Sequence, residues 1–426
     1  MKRPVRIAAL QLRAHDRDSF AQAWPRVEAR VEEAANEADL VLLPEGTIPA
    51  YVLGDAEIDD RAVHAAVERL RAIAARAGVV VIAGVAVRDG SALYNAGLVI
   101  DRDGSVAGRA DKIFLWHFDR RWFAPGARIA PVATSLGQLG VLVCADGRMP
   151  EISRALVDRG AELLVMPTAW VSSGRDPQAL ENPIADLLGR MRAFENGVPF
   201  AAANKCGVER EMVLYCGKSQ IVDDRGTMLA LASEHDEEIL RATVEIGEPH
   251  PYRTSLAQLV QRRAPDSRML RVSVTAEALP PDVDRRLEML ESDYAVAPGA
   301  SERLASLDAK VPLASVNDEI MLDPAGLCAY RRAGYRLAVW TTQAAPWTTT
   351  LARARAGEAR MYVVVLDLST PRAFVVDPDY LVLCGTFGEY RLASCAIDIA
   401  KTAQTFVAPG TDVAAGLERV HELAQT

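Results

Sequence analysis

Short apolar runs of strand length alternate with longer stretches of helical spacing through the first part of the chain. The pattern predicts strands at 5–12, 40–43, 79–87, 94–100, 138–144, 163–167 and 200–204. Helices are predicted at 19–38, 61–77, 150–159 and 185–196, the third opened by Pro150, whose fixed φ suits a first helical position. Asp103-Gly104, and Gly226 within 219–231, mark hairpin turns, because glycine accepts the positive φ such turns need. Strands, helices and hairpins mixed in this order predict layered α/β architecture, with helices covering sheet faces. The stretch 248–268 holds three prolines, several arginines and no strand pattern. It reads as a linker, with a boundary near Pro265 between domains 1–267 and 268–426.

The second half echoes the first. Asp39 to Glu45 aligns with Asp293 to Gly299, and Arg159-Gly160 with Ala333-Gly334. Arg190 to Glu195 aligns with Arg353 to Glu358, and Gln220 to Asp223 with Phe374 to Asp377. Windows repeated in one order indicate a duplicated unit, shortened in its second copy.

The 426 residues carry 48 Lys and Arg against 57 Asp and Glu, a formal charge of −9. That balance argues against a nucleic-acid binder, which needs a basic face. The start shows no apolar core with a cleavage site, and the apolar run 77–87 is well short of the ~20 residues of a membrane span. Cysteines at 144, 206, 216, 328, 384 and 395 form no CxxC pair, so reduced thiols and a cytoplasmic location are expected, with no membrane partner.

Three positions place reactive side chains on suitable backbone. Glu45 follows a buried strand, Lys112 lies in an apolar and aromatic stretch, and Cys144 ends a strand ahead of the helix that Pro150 opens. The helix N-terminus would favour a thiolate at Cys144. Taken singly, each has a plainer reading: a solvated loop acid, a lysine whose stem is buried and whose ammonium reaches water, and a buried thiol.

With their flanks the three form one pattern. Leu42-Leu43-Pro44-Glu45, Asp111-Lys112-Ile113-Phe114-Leu115 and Cys144-Ala145-Asp146-Gly147-Arg148-Met149-Pro150-Glu151 occur in the order that characterises the nitrilase superfamily of carbon–nitrogen hydrolases. Asp119-Arg120-Arg121-Trp122-Phe123-Ala124-Pro125-Gly126 also resembles a motif of that family. The resemblance covers about residues 4–267. It implies an αββα sandwich, usually dimeric as αββααββα, and a catalytic triad of Glu45, Lys112 and Cys144. By the same resemblance Glu45 is general base, Cys144 nucleophile, and Lys112 with the backbone N–H of Ala145 stabilises the oxyanion. Asp119 falls where the family has a glutamate, one methylene longer. Ala145 stands where an aromatic residue is usual. Trp116, His117, Arg148 and Trp170 are expected at the substrate, with ordinary core packing the alternative for the aromatics. Arg120 and Arg121 are candidates for holding a substrate carboxylate. No metal or organic cofactor is called for.

On the repeat, Glu45 maps to Gly299 and Cys144 to Asp318, and the lysine segment has no counterpart. Residues 268–426 are therefore expected to be a catalytically dead copy serving as a built-in partner, so that a monomer forms a pseudo-dimer. An independent α/β appendage with a binding role is the alternative. The expected activity is an amidase-type hydrolase of a small amide, carbamoyl or nitrile substrate. Acyl transfer from the thioester, nitrilase proper and a non-catalytic scaffold are the competing readings.

Overall fold

The computed structural model describes residues 2–55, 57–174, 179–254, 259–263, 268–276, 292–298, 311–343, 347–387 and 391–426. The chain divides into two compact units, 1–251 together with 408–426, and 252–407. The division falls at Pro251, earlier than the boundary expected near Pro265, and the last residues belong with the first unit rather than the second.

The first unit holds two sheets among the described residues. The eight-stranded sheet runs Val213–Cys216, Lys205–Glu209, Arg3–Arg13, Leu40–Leu42, Val80–Asp89, Ala92–Ile100, Val106–Asp111, and Glu238–Ile246 pairs antiparallel with Arg3–Arg13. The six-stranded sheet runs Met228–Leu231, Gln220–Val222, Phe200–Ala203, Leu163–Pro167, Gly137–Val141, Val132–Thr134. Successive side chains of a strand point to opposite faces. Along Arg3–Arg13, Val5, Ile7 and Ala9 therefore join Leu139, Leu163 and Val165 in a core between the sheets. Ala8, Leu10 and Leu12 face the other way, with Val27, Val31, Leu70 and Ile73 of the helices Phe20–Ala35 and Asp60–Ala77. Burial on both faces is why these strands read as unbroken apolar runs. The helices Pro150–Asp158 and Gly189–Asn196 pack on the second sheet, which completes an αββα sandwich.

Two local departures from the expected elements matter for the site. The strand expected over 138–144 stops at Val141, because Cys144 adopts φ +47° and opens a 3-10 turn, Cys144–Arg148. The helix expected over 185–196 begins as a π turn, Ile184–Leu188, and becomes α-helical at Gly189.

The second unit, taken by itself, has the same strand order and sense in miniature. Met269–Val274 runs parallel to Tyr294–Val296 and antiparallel to Ala393–Asp398, as Arg3–Arg13 does to Leu40–Leu42 and Glu238–Ile246. Leu313–Val316, Leu337–Thr342 and Tyr362–Asp367 are parallel, followed by antiparallel Arg372–Val376 and Val382–Gly385. Small devices recur too. Asp39 Oδ2 accepts from Arg6 N at 2.9 Å, and Asp293 Oδ2 from Arg271 N at 2.8 Å. Gly160 and Gly334 have φ of +94° and +96°. Arg192 pairs with Glu195 and reaches the Gly147 carbonyl; Arg355 pairs with Glu358 and reaches the Met321 carbonyl.

Strand register locates the counterpart of the thiol. Leu139 stands opposite Leu163, and Leu313 opposite Leu337, which puts Asp318 in the place of Cys144. Asp318 Oδ1 accepts the indole N–H of Trp340 at 2.9 Å. Gly299, matched to Glu45, lies outside the described residues.

Gly84 shows how tightly the first sheet grips Glu45. A Cβ at Gly84 would lie 2.3 Å from the Pro44 carbonyl oxygen and 2.4 Å from the Glu45 Cα, both backbone atoms with nowhere to go. Gly84→Ala is expected to lower unfolding free energy by about 1–3 kcal/mol, measured by urea titration. An unchanged midpoint would contradict this packing.

Candidate active site

Glu45 leaves the Leu40–Leu42 strand on a loop fixed by backbone bonds, its own N–H donating to Thr168 O at 3.2 Å. Lys112 follows the strand Val106–Asp111, its N–H donating to Asn95 O and its carbonyl accepting from Gly126 N, both at 2.8 Å. The two side chains meet in a dry interior. Lys112 Nζ lies 2.7 Å from Glu45 Oε1 and 2.6 Å from Asp119 Oδ2, all three side chains being fully buried. Asp119 thus reaches the lysine despite its shorter side chain. Asn95 Nδ2 also donates to Glu45 Oε1, at 2.7 Å, and Trp116 N to Asp119 Oδ2, at 2.9 Å.

Burial raises the Glu45 carboxyl above its ordinary range; Lys112 opposes this and Asp119 adds to it. For Lys112 burial pulls downward, but Asp119 and then Glu45 more than offset it and hold the ammonium well above the usual lysine value. Two carboxylates to one ammonium keep the lysine charged. Glu45 Oε2 and Asp119 Oδ1 are buried with no nitrogen or oxygen donor among the described residues.

Cys144 is buried and acts electrostatically on both Glu45 and Lys112, so the three expected residues do come together. Its thiol differs from expectation. Burial, then the charge of Glu45, pushes its pKa far up, against the pull of Lys112, Thr168 and the backbone of Ala169. Desolvation is the largest influence on the sulfur and favours the thiol over the expected thiolate. Its left-handed backbone is of a kind that costs on the order of 1–3 kcal/mol and persists only where the surroundings enforce it.

Asp146 is the enforcing group, and the sequence reading assigned it no role. Its Oδ1 accepts from the N–H groups of Ile113 and Phe114 at 3.1 and 2.8 Å, and Oδ2 from Val143 N at 3.1 Å. One buried carboxyl thereby ties the Cys144 elbow to the segment carrying Lys112. Burial pushes that carboxyl up to about 7 even with these donors.

The expected substrate residues differ in their surroundings. Ala145 is buried in the first turn after Cys144, where helical N–H groups lack intrahelical acceptors. The Arg148 guanidinium lies 4.6 Å from the Trp116 ring centre, a cation–π contact. His117 has φ +47°, and its ring meets Phe118 edge-on at 4.9 Å. Trp170 is buried, with its indole N–H unpartnered among the described residues. Arg120 is exposed. Unforeseen from sequence was a second buried group: Lys205 Nζ bonds Glu209 Oε2 at 2.9 Å, and Tyr215 OH donates to the same oxygen at 2.6 Å. Tyr51 stands between the two lysines, 5.5 Å from Lys112 Nζ and 6.0 Å from Lys205 Nζ.

Residues 6–254 match the sequence model of the carbon-nitrogen hydrolase family. More than half of the sequence lies within that match, and the chain belongs to this family. A protein named as a probable nitrilase in Schizosaccharomyces pombe is 32% identical over 41% of this chain and 61% of its own length. An apolipoprotein N-acyltransferase of Geobacter metallireducens is 30% identical over 50% of this chain and 42% of its own, so the chain spans less than two thirds of either relative. The crystal structure of an amidase from Nesterenkonia sp. superposes with a TM-score of 0.51 at 29% identity, covering 57% of this chain and 90% of that one. No described helix is long and apolar enough to cross a membrane.

Asp146→Asn puts an amide N–H2 against one of the backbone donors it now satisfies. It is expected to cost about 1–3 kcal/mol in urea unfolding, the range for an unsatisfied buried polar group. Wild-type stability in that variant would remove the role given to Asp146.

Proposed function

We propose that the protein hydrolyses a small amide, with Cys144 as nucleophile and Glu45 as general base. The observation supporting this is the Lys112 ammonium held between Glu45 and Asp119 while acting on the Cys144 thiol. A thiol kept protonated at rest needs a base at the moment of attack. Glu45 takes the proton as sulfur bonds the carbonyl carbon, and the carbonyl π electrons move onto oxygen. Lys112 and the Ala145 N–H stabilise that oxyanion. Glu45 then protonates the departing nitrogen, the C–N bond breaks, and a thioester remains on Cys144. Water, deprotonated by Glu45, attacks the thioester and releases the acid and the thiol. Asp119 Oδ2, 2.6 Å from Lys112 Nζ, keeps a partner on the ammonium when Glu45 takes up the proton.

Amide is favoured over nitrile by the unused acceptors. Glu45 Oε2 and Asp119 Oδ1 are buried with no nitrogen or oxygen donor among the described residues, and an amide –NH2 supplies N–H groups where a nitrile supplies none. The Trp170 indole N–H calls for a substrate acceptor, and Trp116, His117 and Arg148 are assigned to substrate contact. Capture of the thioester by an amine is the second reading, favoured by the acyltransferase relative.

The test is ammonia release from a panel of amides, carbamoyl compounds and nitriles. Cys144→Ala should lose activity by on the order of 10⁶-fold, as removal of a nucleophile does, and Lys112→Met by about 10²–10³-fold. Unaltered release from Cys144→Ala would refute the mechanism. Acid product in the presence of added hydroxylamine, without hydroxamate in excess, would set aside acyl transfer.

The raised Glu45 pKa fixes the sign of the pH dependence. The base must be ionised, so kcat/KM falls as pH drops through a value above the ordinary ~4.3 of glutamate. Asp119→Asn removes a charge that raises this value and should move the acidic limb of the profile to lower pH. A limb that stays put would show that Glu45 does not set it.

Residues 252–407 are read as a copy without the chemistry, since Asp318 occupies the place of Cys144. The expectation that follows is a monomer of 46.1 kDa by sedimentation; a stable dimer would count against a built-in partner.

A further inference from the structure

The segment Ala408–Thr426 belongs to the first unit although it follows the second in sequence. Asp412 caps its helix, Val413–Gln425, by accepting from the N–H groups of Ala414 and Ala415. Val413, Leu417 and Val420 are buried, and the helix packs against Pro150–Asp158, the helix behind Cys144. Gly416 meets the Phe114 ring so closely that a Cβ there would come within 2.3 Å of a ring carbon.

Its polar contacts converge on the elements carrying the site. Arg419 donates through Nη1 to Ile113 O at 3.2 Å and through Nη2 to Gly126 O at 2.6 Å. Ile113 follows Lys112 in sequence, and Gly126 N–H donates to the Lys112 carbonyl at 2.8 Å. One guanidinium therefore joins the two stretches of backbone that hold Lys112. Thr411 Oγ1 accepts from His117 N at 2.6 Å, at a residue with left-handed φ. His421 Nδ1 lies 3.1 Å from Glu151 Oε2, in the first turn of the helix behind Cys144.

We propose that Arg419 is a positioning residue for Lys112, making the segment Ala408–Thr426 a working part of the active site. The proposal rests on the roles given above to Lys112 and Cys144. The Lys112 ammonium meets two carboxylates at 2.6 and 2.7 Å, so a small backbone shift breaks one contact or the other. A misplacement of about 1 Å in such a site can cost 10²-fold in rate. The forked, planar guanidinium reaches two carbonyls at once, which a single ammonium does less well.

The experiment uses the full-length protein with Arg419→Ala, Arg419→Lys and, as a control on the same helix, exposed Glu422→Ala. The first readout needs no substrate: the rate of Cys144 alkylation by iodoacetamide against pH, followed by peptide mass spectrometry. Three charged groups, Glu45, Lys112 and Asp119, bear on that thiol's setting, and Lys112 is the one that lowers its pKa. Arg419→Ala should slow alkylation by about 10²-fold and shift the profile to higher pH, with kcat falling in parallel and KM within about twofold. Arg419→Lys should fall between the two, and Glu422→Ala should match wild type. Wild-type alkylation and kcat in Arg419→Ala would overturn the proposal. So would a loss confined to thermal stability, with the pH profile unmoved. If wild-type Cys144 is alkylated no faster than Cys144 in Glu45→Gln, which lacks the base, the triad assignment itself fails and takes this proposal with it.

Discussion

An ammonium shut away from water between two carboxylates is the interaction on which the rest of the first unit depends. Each of the three charges would be costly to bury alone, and they are tolerable together because the ammonium lies within 2.7 Å of both carboxylates. The arrangement bears on the protonation of everything near it: Asp119 and Glu45 keep Lys112 charged, burial raises the Glu45 carboxyl above its ordinary range, and burial pushes the thiol up. Removing either carboxylate would change all three at once.

The surrounding fold supplies the rigidity that this cluster needs. Glu45, Lys112 and Cys144 arrive from different stretches of chain, and each arrives on backbone with no room to move. Glu45 is pressed against Gly84, Lys112 is bracketed by Asn95 and Gly126, and Cys144 is held in a left-handed conformation beside Asp146. Two packed sheets, with cores on both faces of the first, make that accuracy possible.

Much of this was readable from the residues, and the reason is locality. The strand before Glu45, the proline-opened helix after Cys144 and the apolar flanks of Lys112 are short-range patterns, and their chain order carried the family resemblance. The contact of Asp119 with Lys112 and the bracing by Asp146 were not readable, although both carboxylates lie inside the family-like motifs, because a motif names a carboxylate without saying which donors it meets. Arg419 left no local signal at all: the carbonyl it grips on Gly126 is 293 positions away. The thiolate expected ahead of the helix is not what the pocket favours, since burial is the largest influence on the sulfur at a site this dry. The domain boundary was misjudged for a related reason. A polar, proline-rich stretch marks where a chain loses regular pattern, not where its contacts divide.

The return of the C-terminal helix to the first unit also has a consequence in time. A polypeptide emerges from the ribosome N-terminus first, and domains tend to fold as they appear. Here the sandwich holding all three reactive side chains is synthesised first, and the guanidinium that braces it follows only after the whole of residues 252–407. The nascent chain therefore carries its reagents before it carries their brace, and the site is completed only after residues 252–407 have been made.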